Sequence, residues 1–442
     1  MARSIGISVC VILGLLAWLA PAALAQENAG TPAPAAGGDL AAQVQAIQKV
    51  VDKQQQLIEI QQRQIEELKA QGEKQTDSLG ALEAKAQKSE KVKPAEVPSW
   101  LDGLKFSGDL RMRYEGIWLK PRAAGTTDDQ RGRFRLRFGF EKKVSDDFDL
   151  GFRLASGKDN SPITANQTFT DDFSKKPVWI DLAYGLYHPV VVPGLVLGVG
   201  KFKNPYVNTD MVWSADLNPE GAYESYKFKI GESFEPFVTV GQNMLTDNTT
   251  LVPDANLLAY QGGAKIKFTP DVNWVTAATY YDYLNYAQKG NFTKANGNTV
   301  AANGNLAAGE FNVLDFPNIV TFPIATVPVS PYFDFAKNVG DEAKVDGSKQ
   351  DTAWATGVQV GDVKTKGDWA FTYKYARIEA DSVVGAFNDE PFNNANTQGS
   401  KIGASYGLAK NVTVAVAAYF TKTVTGPDVD RKTLQADLVW KF

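Results

Sequence analysis

The chain has 442 residues but only one cysteine, Cys10, and one histidine, His188. A lone cysteine excludes a disulfide framework and a thiolate metal site. The single histidine precedes Pro189 at an expected turn, where a solvated ring fits better than a catalytic base. Serine–histidine hydrolysis has no other histidine to use, so an enzyme is not expected. Charge of one sign is also lacking: 46 basic residues stand against 50 acidic ones. No basic excess is available for nucleic acid, and that partner class is excluded. After the first 25 residues no apolar run approaches the ~18 residues of a membrane helix.

What is present starts with an export address. Arg3 is followed by an almost wholly apolar run, Ile5 to Leu19, and by Ala23-Leu24-Ala25 before Gln26. This is the pattern of a cleaved signal peptide over 1–25. Its removal takes the net charge from −4 to −5. Residues 26–38, rich in Ala, Pro and Gly, read as a flexible spacer. From 39 to 91 an apolar heptad runs. Val44, Val51, Ile58 and Ile65 hold one seam position, and Leu40, Ile47, Gln54, Gln61 and Leu68 the other. Four β-branched residues in register predict an α-helical coiled coil, with a lone amphipathic helix as the alternative. Gly72 is expected to loosen it, and 92–99 forms a linker. A coiled coil needs partner chains, so a homo-oligomer is expected, with a trimer as the reading.

From Trp100 to Phe442 the period changes to two. Leu104, Phe106, Leu110, Met112 and Tyr114 alternate with Lys105, Ser107, Asp109, Arg111, Arg113 and Glu115. Phe134, Leu136, Phe138 and Phe140 alternate with Arg133, Arg135, Arg137 and Gly139. The last segment places Leu434, Ala436, Leu438, Trp440 and Phe442 on one face. Side chains alternate across a strand, so each run is a strand with one apolar and one polar face. About fourteen such runs of roughly 10 residues are present. Short turns such as Ser145-Asp146-Asp147 and Thr269-Pro270-Asp271 alternate with long loops: Ile117–Gln130, Lys158–Lys176, Asn204–Glu220, Met244–Asn256, Ala287–Gln350 and Glu379–Gln398. A transmembrane antiparallel β-barrel reads this way, and it escapes hydropathy because only alternate residues face lipid. The fold expected is all-β, of 14–16 strands over 100–442, preceded by the helical coiled coil. A structureless loop as long as Ala287–Gln350 is rare, so it is expected either to fold into the lumen or to hide two more strands and make sixteen.

Several stretches in order resemble the bacterial "putative porin" family, a relative of general and phosphate-selective porins. They include Arg131-Gly132-Arg133-Phe134-Arg135-Leu136-Arg137, Ala155-Ser156-Gly157-Lys158-Asp159-Asn160 and Gly200-Lys201-Phe202-Lys203-Asn204-Pro205. Asp216-Leu217-Asn218-Pro219-Glu220-Gly221 and the terminal Phe442 extend the likeness. It implies a Gram-negative outer-membrane porin, a trimer among lipid and lipopolysaccharide. It also implies that Phe442 is read by the barrel-assembly machinery and that the coiled coil lies in the periplasm.

For such a protein the chemistry is the charge of the lumen. Six arginines of neighbouring strands fall on the inward face: Arg111, Arg113, Arg133, Arg135, Arg137 and Arg153. Lys227, Lys229 and Lys374 share that phase. Asp109, Glu115, Glu141 and Asp149 are expected to offset the arginines. Two readings stay open, a rigidifying ion-pair ladder or an arginine stripe facing an acidic loop. The first candidate for the constriction is Asn204–Glu220, with Asp210, Asp216 and Glu220. The second is Lys158–Lys176, with Asp171 and Asp172. No cofactor is expected. Asp128-Asp129 and Asp171-Asp172 lack the spacing of a calcium loop, so no metal site is read either. A passive channel for ions and small hydrophilic solutes with weak anion preference is the leading function. The alternative is a structural tether that reaches peptidoglycan through the coiled coil, with the barrel as anchor.

Overall fold

The computed structural model describes residues 40–89, 101–121, 127–158, 161–249, 251–340, 344–345 and 348–442. The expected signal peptide, spacer and linker lie outside them. The chain divides into a unit ending at Val97 and a second beginning at Pro98.

In the first unit, α1 spans Leu40–Ser89 as one 50-residue helix. Its sequence is rich in Ala, Gln, Glu, Lys and Leu, which lose little freedom in a helix. It contains no proline and passes through Gly72 and Gly80 unbroken. At 1.5 Å per residue it is about 75 Å long. The heptad residues Val44, Val51, Ile58, Ile65 and Leu68 are all exposed, between 48% and 66%.

The second unit carries the strands β1 (Leu104–Lys120), β2 (Asp129–Lys143), β3 (Phe148–Ser156), β4 (Gln167–Thr168), β5 (Val178–Tyr187), β6 (Leu195–Lys201) and β7 (Glu220–Lys227). It continues with β8 (Phe234–Met244), β9 (Asn256–Lys267), β10 (Asn273–Leu284), β11 (Phe311–Asp315), β12 (Asn318–Ile324) and β13 (Val327–Asn338). The small hairpin β14 (Lys344–Val345) and β15 (Ser348–Lys349) follows. The wall resumes with β16 (Thr352–Gly361), β17 (Trp369–Ile378), β18 (Thr397–Ala409), β19 (Val412–Thr423) and β20 (Asp430–Lys441). Neighbours pair antiparallel, and β1 pairs with both β2 and β20, which closes the barrel. β4 extends the position of β3 against β2, while β11 and β12 share one position between β10 and β13. The described residues thus form a sixteen-strand barrel. Ala287–Gln350 holds the two strands that a count of fourteen omits. Ile117–Gln130 is less of a loop than expected, because β1 and β2 stay paired as far as Ile117 and Asp129.

Alternation sets what each face meets. Phe106, Met112, Leu136 and Phe138 point outward and are exposed, as a lipid-facing band requires. Asp109, Glu115, Arg133 and Arg135 point inward and are buried. On the other side of the barrel several inward residues are small. Ala336, Ala353, Ala355 and Ala376 are fully buried there. Phe442 lies across Gly108, with which it exchanges backbone hydrogen bonds of 2.8 and 3.1 Å. A Cβ on Gly108 would stand 2.6 Å from the Phe442 ring, so the close approach needs glycine.

Candidate functional site

The arginine wall is built by register. Arg111 lies opposite Arg135, and Arg113 opposite Arg133. Like charges directly opposed destabilise a sheet, so this arrangement must be compensated locally. Asp109 accepts from Arg135 at 2.8 Å and from Arg137 at 2.6 Å. Glu115 pairs with Arg131 at 2.5 Å and Arg133 at 3.1 Å. It also accepts from Gln435 at 2.8 Å. Arg113 makes a two-pronged bond to Asp437, both contacts 2.7 Å. Arg153 pairs with Asp181 at 2.5 Å. Arg111 differs from these neighbours. Its one hydrogen bond goes to Asn166 at 2.6 Å, and no carboxylate among the described residues pairs with it.

Loop 202–219 runs inside the barrel. Tyr206 packs against Gly241 of β8 so closely that a Cβ there would collide with its hydroxyl. Gln261 of β9 clamps Val207, accepting from its N–H at 2.9 Å and donating to its carbonyl at 2.8 Å. Thr209 donates to Asp334 of β13. The Trp213 indole donates to Tyr283 at 3.1 Å and stacks on Tyr281 with centroids 5.5 Å apart. Asp210 reaches Lys374 of β17 at 2.8 Å, and Asp216 turns back to Arg135 and Arg137 at 3.2 and 3.4 Å. The loop therefore touches opposite walls.

Two further loops complete the interior. Loop 379–396 brings Phe387, whose carbonyl accepts from Ser214 at 2.7 Å. It also brings Phe392, fully buried beneath the Lys374 ammonium at 4.2 Å. Loop 285–310 joins it through Asn298, which donates to Ala380 and Val383 at 2.7 and 2.8 Å. Met211, Trp213, Tyr281, Phe311 and Phe392 form one dry cluster among these pieces. Against the arginine wall a cavity of about 210 Å³ remains. Arg111, Arg113, Arg133, Arg135, Asp210, Asp216, Asp389, Glu390 and Lys401 line it.

Charge in these loops is set by the lysines. Burial would raise the Asp210 carboxyl, but Lys374 and Lys401 outweigh it and hold it below the ordinary value of 3.8. Burial raises Asp389 above 3.8, and the neighbouring Asp210 charge adds to this. One acid of the pair therefore stays ionised while the other is drawn toward neutrality.

Some expected residues stand elsewhere. Glu141 pairs with Lys203 at 2.5 Å and Asp149 with His188 at 3.0 Å, so neither offsets the arginine wall. Lys229 lies past the end of β7 in an exposed turn, 3.8 Å from Glu235, because the strand and its phase stop at Lys227. Lys227 itself is exposed at that strand end. Glu220 opens β7 and binds Lys201 at 2.6 Å. Asp171 and Asp172 sit at an exposed loop tip with positive φ of 63° and 49°. That tip is away from the cavity, and only the neighbouring Ile163–Gln167 segment turns inward. Sequence reasoning missed Asn166, Asp389, Glu390 and Lys401 as lining residues. Asp437 was visible on the polar face of the last strand and could have been included.

A closed antiparallel barrel with an apolar outer band and a charged interior defines an outer-membrane barrel of the porin type. The family described as "Putative porin" matches residues 18–126, 117–313 and 306–442, and the chain belongs to it. Solved structures are similar at low identity. OmpF of Salmonella typhi, in complex with daunomycin, is 12% identical over 77% of this chain and 97% of its own, with a TM-score of 0.47. OprB of Pseudomonas putida is 11% identical over 77% and 94%, with a TM-score of 0.49. OmpT of Vibrio cholerae, recorded in its trimer form, is 12% identical over 76% and 99%, with a TM-score of 0.43. A comparison with curated sequences gives no match. Family and fold make this a non-enzymatic channel protein of a Gram-negative outer membrane.

Proposed function

We propose that the protein is a passive diffusion channel for ions and small hydrophilic solutes, narrowest between the arginine wall and loop 202–219, with weak anion preference. The observation that carries this reading is the course of that loop. Its Asp216 meets Arg135 and Arg137 while its Asp210 meets Lys374 on the far wall. Opposed charges across a narrow, partly dry passage set up a transverse field. Arginine stays charged at any relevant pH. Asp389 is pulled toward its neutral form. The balance of fixed charge at the passage thus leans positive.

The test is the reversal potential of the reconstituted protein in a planar bilayer under a KCl gradient. Anion preference that falls when Arg133, Arg135 and Arg137 are changed to Gln supports the reading. Cation preference contradicts it. Lowered thermal stability with an unmoved reversal potential supports a structural ion-pair ladder instead.

The chain is further read as a homo-oligomer, taken as a trimer. Two features support this. The apolar heptad face of α1 is exposed in the single chain. β6 and β7 have 7 and 8 residues, short of the ~9–11 needed to cross the hydrocarbon layer. Beside them the outward-facing Gly185 and Ala222 are small and admit close approach of another barrel. Cross-linking in mild detergent that yields only monomer contradicts the oligomer. On this reading 1–25 is the signal and 39–91 a periplasmic coiled coil. The assembly machinery acts at Phe442, and lipid and lipopolysaccharide surround the wall. The tether alternative is tested by pull-down on isolated peptidoglycan, against a deletion of 26–97.

A further inference from the structure

The cavity beside the arginine wall holds an unmatched pair. Arg131, Arg133, Arg135 and Arg137 each contact at least one carboxylate, and Arg113 has Asp437. Arg111 has only the neutral Asn166 and keeps a buried Nε with no acceptor among the described residues. A guanidinium offers five N–H donors, so most of its capacity is unspent. Its neighbours Arg113 and Arg135 add positive field, and Asp437 and Asp216 offset this only through space. The same cavity is lined by Glu390, which opens the turn Glu390–Phe392. Among the described residues its carboxylate makes no hydrogen bond or ion pair, and it acts on Arg133 and Arg431 only through space. Beside it, Asp389 leaves its buried Oδ2 without a hydrogen bond, with Lys374 3.8 Å away.

A simple anion would satisfy Arg111 but meet the Glu390 carboxylate, which no cation among the described residues contacts. A simple cation would meet the reverse. A small solute carrying both charges satisfies both ends at once. We propose, building on the channel reading above, that this cavity is a binding subsite for small zwitterions. The solute's carboxylate is held by Arg111, whose planar fork suits it. Its ammonium group is held by Glu390. The subsite makes such solutes enter faster than neutral solutes of the same size.

Liposome swelling with the purified full-length protein tests this, using β-alanine and its neutral isomer lactamide. The readout is the ratio of the two entry rates within each protein preparation, so differences in incorporation cancel. The native protein is expected to favour β-alanine. Arg111→Gln and Glu390→Gln should each lower the ratio on the order of threefold, in the range of a solvated ion pair, and Arg111→Lys, which keeps the charge without the fork, should restore it only in part. A ratio that Glu390→Gln leaves unchanged overturns the zwitterion assignment. So does lactamide entry with no preference for β-alanine in the native protein. Entry of neither solute, from protein shown to be folded, overturns the channel reading itself and this one with it.

Discussion

The two sides of the lumen solve opposite problems with the same backbone. On β1 and β2 the inward positions carry Asp109, Arg111, Arg113, Glu115, Arg133, Arg135 and Arg137, held in a shared ion network. On β13, β16 and β17 the inward positions include a patch of four buried alanines, Ala336, Ala353, Ala355 and Ala376. Long charged side chains fill their own space and keep it wet. Small apolar ones leave a hollow that loops must fill, since interiors pack to near-crystal density. Loops 202–219, 285–310 and 379–396 fill it with Trp213, Leu306, Phe387 and Phe392. The difference teaches that side-chain volume on the wall decides where loops dock, and so where the passage is left.

The largest expected effect comes from breaking the dry side. Trp213→Ala removes the stack on Tyr281 and should weaken loop docking by about 3–5 kcal/mol, as large aromatic truncations do. Hydrogen exchange in residues 202–219 and noise in the single-channel current should both rise.

Next is the ionic anchor. Lys374→Met leaves Asp210 and Asp389 with only the more distant Lys401, a loss on the order of 3 kcal/mol for a broken buried pair. Protease cleavage of the loop should increase, and Asp210→Asn in the same chain should restore part of the protection.

Acid should sharpen the contrast between the two acids. Asp210 is held low, so its anchoring of the loop is present at and above 3.8 and lost only as pH falls through its depressed value. Asp389 is raised, so it takes up its proton earlier on acidification. Anion preference should therefore grow as pH drops from neutral toward 3.8, and Asp389→Asn should remove that part of the change. At the small end, Lys229→Gln touches an exposed turn. It should leave the reversal potential unmoved and stability within about 0.5 kcal/mol.

The wall was legible because period two is a local property. Arg133, Arg135 and Arg137 between Phe134, Leu136 and Phe138 admit one assignment of faces, and the structure keeps it. Asp210 and Asp216 stood out as acids of a long loop, and the structure places them against Lys374 and Arg135. Glu141 and Asp149 share the inward phase but lie near the short-turn end, where Lys203 and His188 meet them. Height along the barrel is not written in alternation. Asp389 and Glu390 were not legible because the course of loop 379–396 depends on contacts such as Asn298 with Val383, 85 positions apart. The β11 and β12 pair was obscured by its break at Phe316-Pro317.

The most direct test of the central claim uses Ala215, an exposed residue of loop 202–219 that lines the cavity. In a Cys10→Ser background, Ala215→Cys is the only thiol. A positively charged methanethiosulfonate reagent applied to single channels should lower conductance in discrete steps. The same reagent should leave Ala355→Cys on the packed side unreacted. Complete labelling at Ala215→Cys with conductance unchanged would place the passage elsewhere and contradict the account.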